Sequence, residues 1–277
     1  MLRVLVLLAC VITANSYIAI VTPAWAQTAP EVTLTRFDCG TGGPPFEAAP
    51  RFSDTYDAFG GRKFTLVYSC YLIKHGDEYM IWDSGHSMAA GDRAPKVSMV
   101  DQLAQLNLKP EQMKYIGISH YHGDHIGQVS SFPGSTLLIG KGDWDLIAGG
   151  KPYPMLNPKP FAHWTSGGGK LVPILLDHDV FGDGRVLIIG TPGHTPGHTV
   201  LLVKLAQTGN VILSGDLAHF RENYETGGMP IFNVNRAETL ASIDRVKKIA
   251  ANLKATMIIQ HDPRDLGKLP AFPAAAR

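Results

Sequence analysis

Apolar and polar residues alternate along Val32-Thr33-Leu34-Thr35-Arg36-Phe37, the two-residue period of a half-buried strand. Residues 47–62 carry Pro, Gly and Asp and read as a loop. Residues 64–74 and 79–82 read as two strands joined through Gly76-Asp77, a hairpin signal. In residues 97–106, Val100, Leu103 and Leu106 fall at helical spacing. Short apolar strands are predicted at 115–119 and 135–139, and a short helix at 142–148. Residues 149–169 are rich in Pro and Gly and hold Tyr153, Met155, Phe161 and Trp164, which predicts a long surface loop or lid. Strands follow at 171–175, 185–189, 199–205 and 210–214. Asn235 with Glu238 forms a helix-start pair, and Leu240, Ile243, Val246, Ile249 and Leu253 make one stripe behind it. A last strand at 256–259 leads to His261. Strands dominate both halves, helices lie between them, and no long linker divides the chain. One domain with sheets inside and helices outside is the expectation.

The first residues depart from this pattern. Arg3 precedes an apolar run, and Ala24-Trp25-Ala26 supplies an A-x-A site. A positive start, an apolar middle and such a site predict a secretory signal, residues 1–26, and a periplasmic or secreted domain at 27–277 with no stable membrane anchor. An uncleaved anchor is the alternative, because residues 4–21 approach the length of a span. Asn15, Ser16 and Tyr17 interrupt that stretch and favour cleavage.

Composition narrows the class. Of the 277 residues, 45% are hydrophobic and 18% charged, enough for a substantial core. The formal net charge of +1 gives no electrostatic case for nucleic acid or an anionic membrane. Cys39 and Cys70 remain after the signal; they form either one disulfide or two buried thiols in neighbouring strands, and spacing leaves both readings open.

The histidines cluster. His120, His122 and His125 lie within six residues, with Asp124 among them. On extended backbone, positions i and i+2 point to one side, so His120 and His122 can grip one ion. Asp124 and His125, where the chain turns into a helix, project elsewhere and can hold a second. Imidazole and carboxylate suit zinc, iron or manganese. A histidine-rich surface loop is the bland alternative, and four potential ligands directly after a buried strand argue against it. In Gly190-Thr191-Pro192-Gly193-His194-Thr195-Pro196-Gly197-His198, a rigid turn follows a strand, and His194 is favoured over His198 as a ligand. Asp216 and His261 end further strands, and a carboxylate at Asp216 can bridge two cations. A helix-capping Asp is the alternative there. Two such ions with open positions lower the pKa of bound water to about 7 and polarise a carbonyl or phosphoryl oxygen.

The order HxHxDH, GH, D, H resembles the metallo-β-lactamase superfamily across nearly the whole mature chain. That resemblance implies an α/β fold, an αββα sandwich. It implies one ion at His120, His122 and His194, another at Asp124, His125 and His261, and Asp216 between them. It implies two zinc ions, with iron, manganese or cobalt as alternatives. Asp83, in Ile81-Trp82-Asp83-Ser84-Gly85, matches the superfamily's early strand-end Asp, a structural residue. Asp216 argues against a true β-lactamase with the same run.

The sequence is most similar to the N-acyl-homoserine lactonase branch, through Ser69-Cys70-Tyr71-Leu72-Ile73, Thr191 to His198 and Gln260-His261-Asp262. Ser214-Gly215-Asp216 and Phe220-Arg221-Glu222-Asn223-Tyr224 add to it. Two positions depart from that branch: Gly123 stands where it carries an aromatic residue, and His219 where it carries a Tyr. The implied substrate is an acylated lactone, opened by water activated on the metals. Asp124 would relay the proton, and His219 would assist, since imidazole can donate to the carbonyl or leaving group. A surface histidine is the alternative for His219. Met155, Phe161, Trp164, Met229 and Phe232 are candidates for an acyl-chain pocket, with core packing the alternative for each. A β-lactam or phosphotriester hydrolase and a mononuclear-iron oxygenase are the competing functions on these ligands.

Overall fold

The computed structural model describes residues 29–52 and 59–277. The expected signal segment, 1–26, lies outside the described residues. In chain order the strands are β1 (Val32–Gly40), β2 (Phe46–Glu47), β3 (Lys63–Phe64), β4 (Tyr68–His75), β5 (Glu78–Trp82), β6 (Met113–Ile118) and β7 (Thr136–Gly140). They continue as β8 (Leu171–Ile174), β9 (His178–Asp179), β10 (Val186–Gly190), β11 (Thr199–Leu205), β12 (Gly209–Leu213) and β13 (Thr256–Ile258). The helices are α1 (Ala49–Phe52), α2 (Met99–Gln105), α3 (Gly123–Ile126), α4 (Lys141–Gly149), α5 (Ala162–Thr165), α6 (Arg221–Thr226) and α7 (Arg236–Leu253).

Two sheets form the centre. One runs β1-β4-β5-β6-β7-β8, antiparallel from β1 to β5 and parallel from β5 to β8. The other runs β13-β12-β11-β10-β9, antiparallel except where β12 meets β13. Their facing sides share a core in which Leu34, Tyr71, Ile73 and Trp82 join Val186, Ile188, Leu201 and Val203. Behind the first sheet, Met99 and Leu103 of α2 and Ile147 of α4 close a second core. Behind the second, Ile243 and Val246 of α7 pack with Ile189, Val200, Leu202 and Ile212. Asn235 caps that helix by accepting from Glu238 N at 3.2 Å. The layers are therefore helix, sheet, sheet, helix. Among the described residues, no helix is long and apolar enough to cross a membrane.

Three local expectations need correction. β1 buries both faces: Val32 and Leu34 join the core between the sheets, while Phe37 and Cys39 join the core under the helices. Within 47–62, the short helix α1 interrupts the expected loop and buries Phe52 against Phe59 and Phe220. Within 149–169, a helical segment interrupts the expected loop. Residues 159–165 fold into a turn and α5, and Phe161 and Trp164 join the core behind the first sheet. They are too apolar to remain at the surface when that core can take them.

Strand pairing decides the cysteine question. Phe37 lies opposite Cys70 in the β1–β4 ladder, which brings Cys39 and Cys70 to 5.8 Å between Cα atoms, joined as a disulfide.

Candidate metal centre

Strand ends deliver the candidate ligands. β6 stops at Ile118, and His122 still has extended backbone (φ −66°, ψ 150°) where α3 begins. His120 and His122 thus precede the helical turn, and Asp124 and His125 lie within it. His194 follows β10, Asp216 follows β12 and His261 follows β13.

Their ligand atoms converge as two sets, His120, His122, His194 and Asp216 in one, Asp124, His125 and His261 in the other. In the first, His122 Nδ1 lies 2.9 Å from His120 Nε2 and 3.1 Å from His194 Nε2. Asp216 Oδ2 is 3.5 Å from His120 Nε2 and 3.3 Å from His194 Nε2. In the second, His125 Nε2 and His261 Nε2 are 3.2 Å apart. Asp124 Oδ2 stands 3.9 Å from His125 Nε2 and 3.7 Å from His261 Nε2. Asp216 Oδ1 faces this second set, 3.1 Å from His125 Nε2 and 2.8 Å from His261 Nε2. Asp216 therefore turns one oxygen to each set.

Asp216 is held by its own backbone. Gly215 precedes it at φ +48°, and a Cβ there would come within 2.8 Å of His198 Nε2 and 3.0 Å of Ser119 Cβ. Only glycine fits so close an approach in the left-handed region. Asp216 N donates to His198 Nε2 at 2.9 Å. That fixes the His198 proton on Nδ1, 2.9 Å from Thr191 Oγ1 and 3.2 Å from Thr191 O. His198 supports Asp216, while His194 joins the ligand cluster.

A further shell orients the imidazoles. Asp83 is fully buried and accepts from Ser119 N (2.7 Å), Ser119 Oγ (2.9 Å) and Gln260 Nε2 (2.8 Å). Its Oδ2 also lies 2.9 Å from His125 Nδ1. His261 Nδ1 is 2.8 Å from Val67 O. Asp143, on α4, accepts from Tyr121 N (3.1 Å), Thr195 Oγ1 (2.8 Å) and Gly197 N (2.6 Å), tying the loop of His120 and His122 to that of His194. Burial pushes the Asp143 carboxyl up to about 7, although these three donors pull against it. Sequence pattern gave no sign of Asp143, an isolated helical Asp.

The electrostatics favour cations. Burial holds His120 well below its usual range and His122 at about 3, so both keep free lone pairs. Burial also pulls His125 down, but Asp216 and Asp83 outweigh it and hold this imidazole well above its usual range. Asp216 sits well below the usual carboxylate range: burial pushes it up, and His261, His219, His125 and His120 outweigh that. Buried nitrogens and carboxylate oxygens that crowd at these distances need positive charge between them. His194 Nδ1 is also buried without a hydrogen-bond partner. The donor set fits two divalent ions.

A cavity of about 670 Å³ opens onto His122, Asp124, Asp216, His219 and His261. His219 is buried, with Nε2 3.1 Å from Asp216 Oδ2 and Phe52 edge-on at 5.2 Å between ring centroids. Of the five proposed acyl-pocket residues, Met155 and Phe232 line this cavity. Phe161 and Trp164 do not, because both are core residues behind the first sheet. Met229 is buried, 3% exposed, and does not line the cavity either. Tyr68, His86, Phe52 and Ile231 line it unforeseen. They come from separate segments, and only tertiary packing brings them together.

Known proteins share this architecture. The N-acyl homoserine lactonase AttM of Rhizobium radiobacter is 32% identical over 170 residues, 59% of this chain. That alignment spans 64% of the relative's own length, somewhat under two thirds. AttM of Rhizobium johnstonii is 27% identical over 225 residues, covering 73% of this chain and 84% of the relative. A solved quorum-quenching N-acyl homoserine lactone hydrolase superposes with a TM-score of 0.74 at 22% identity, over 90% of this chain and 99% of that one. At that identity the likeness is one of fold. The family model of the metallo-beta-lactamase superfamily matches residues 65–261, which contain both candidate ligand sets. On this match, and on the layered fold beneath it, the chain belongs to the metallo-beta-lactamase superfamily.

Proposed function

We propose that this protein is a two-metal hydrolase, with zinc as the metal, that opens the ring of N-acyl-homoserine lactones. The observation that carries this is Asp216, whose two oxygens face two buried ligand sets on the floor of one cavity. The lactonase names of the curated relatives support the substrate class. When bound, the two cations supply Lewis acidity and a water of lowered pKa.

The chain's own residues do the rest. Asp216 keeps the two sets in register, and His198 keeps Asp216 in place. Asp124 is the partly exposed member of the second set and lines the cavity, where it can hold a proton for the leaving oxygen. Met155, Ile231 and Phe232 offer apolar surface for an acyl chain. Met155 and Ile231 are exposed and line the cavity, so an acyl chain can reach them from solvent.

His219 has a narrower choice than sequence reasoning allowed. If Nε2–H donates to Asp216 Oδ2, the neutral ring has only an acceptor left at Nδ1. Burial, the first influence, holds its pKa below the usual value. His219 then aids the reaction by orienting Asp216, and it donates to the leaving group only as an imidazolium.

Kinetics on metal-loaded protein test the function. The kcat/KM for acyl-homoserine lactones should exceed that for β-lactams and phosphotriesters; a preference for either competitor overturns the reading. In the same assay, His219→Ala should lower kcat by about 10–100-fold at unchanged metal content, the usual cost of losing a group that orients a metal ligand. His219→Tyr should recover part of the loss, because a phenol can supply the same hydrogen bond. Unaltered kcat and KM in metal-loaded His219→Ala would remove the residue from the mechanism.

A further inference from the structure

Tyr68 opens β4, and His86 lies in the loop after β5, yet both reach one wall of the cavity. Their rings meet edge to face, with centroids 4.4 Å apart and planes at 68°. Tyr68 also stands edge-on to His261, at 5.2 Å, so the pair adjoins the second ligand set. β1 makes the room. Its register shifts between Asp38 and Gly40, and a Cβ on Gly40 would come within 2.8 Å of His86 Cδ2 and 3.0 Å of Tyr68 Cβ.

The backbone under His86 is fixed from two sides. His86 N donates to Cys39 O at 2.9 Å, and Gln128 Nε2 donates to His86 O at 3.1 Å. Cys39 is itself bonded to Cys70, two residues after Tyr68. The side chain is treated differently. His86 is 9% exposed, and its Nε2 is buried with no hydrogen-bond partner. An unpaired ring nitrogen is costly in a buried position, so a firmly held one on a cavity wall calls for a ligand group.

Charge narrows what that group is. A tyrosine phenol is uncharged near neutral pH, and burial lowers the His86 pKa to about 4. Near neutral pH both are uncharged, and they offer neutral donors and acceptors. A carboxylate or phosphate would find no compensating charge in this pair. An amide, with one donor and one acceptor, matches it.

We propose that Tyr68 and His86 are a specificity-determining pair that receives the amide of an N-acyl lactone, selecting acylamino lactones over lactones with a plain alkyl chain. This rests on the lactonase reading above.

The test compares N-hexanoyl-homoserine lactone with γ-decalactone, which has a ring and a chain but no amide. Wild-type protein should favour the first. Tyr68→Phe and His86→Leu should each lower the ratio of the two kcat/KM values by roughly 3–10-fold, mainly through KM for the amide substrate. His86→Gln, which restores a donor and an acceptor without the ring, should recover part of the ratio. Metal content and thermal midpoint are measured alongside. Variants that lose activity on both lactones in parallel, or on neither, overturn the pair's role and leave the lactonase reading standing. Wild-type protein that opens neither lactone overturns both.

Discussion

Asp216→Ala should lose metal and turnover together. Its carboxylate faces both ligand sets, at 2.8 Å from His261 Nε2 on one side and 3.3 Å from His194 Nε2 on the other. Removing it deletes one ligand from each site and the anionic charge that gathers the surrounding imidazoles. Elemental analysis should fall from about two equivalents per chain to one or fewer, and turnover should drop by about 10³-fold or more, given what metal and oxyanion stabilisation are worth. A helix-capping Asp would behave differently, costing only about 0.5–2 kcal/mol of stability with activity intact. Circular dichroism on the variant separates the two outcomes from simple misfolding. Wild-type metal content and turnover in folded Asp216→Ala protein would end the bridging role.

Asp83→Ala should be strongly destabilising, although Asp83 is not itself one of the candidate ligands. Asp83 is fully buried and accepts from the backbone and hydroxyl of Ser119 and from Gln260, with His125 Nδ1 also 2.9 Å away. Alanine leaves these buried groups unpaired and takes away the carboxylate beside His125. The expected cost is about 3–5 kcal/mol. Its φ of +58° adds strain, because Asp and Asn tolerate the left-handed region and Ala does not. His125 would also lose its orientation, which typically weakens metal affinity by about 10–100-fold. Urea unfolding of metal-free protein isolates the first effect, and metal titration the second. A metal-free variant within about 0.5 kcal/mol of wild type would show that Asp83 does not organise the site.

What sequence could reveal followed the range of the interactions. Thr199–Leu205 is built on the apolar run Val200 to Val203, and the strand appears at the bounds the sequence pattern predicts. The family fold was legible because HxHxDH is local and each later ligand ends an apolar strand. Phe161 and Trp164 misled because composition said loop, whereas their burial depends on a core assembled from β4, β6 and β7. β1 looked half-buried, although its other face is covered by helices far along the chain. Tyr68, His86 and Asp143 carry no local signature. Asp143 acts through Tyr121 and Thr195, 22 and 52 residues away, and only the assembled fold makes those contacts.

The two ligand sets have a consequence for the sandwich as a whole. His120, His122, Asp124 and His125 follow β6 of the first sheet, whereas His194, Asp216 and His261 follow strands of the second. Each set draws on both sheets. Ions held there would act as removable cross-links between the layers, absent from the unfolded chain. Mass action then ties folding to the free ion: a hundredfold excess over Kd stabilises by about 2.7 kcal/mol per site. A thermal midpoint for this chain therefore belongs to the protein and its buffer jointly. Two variants can be ranked for stability only at the same fixed concentration of free metal.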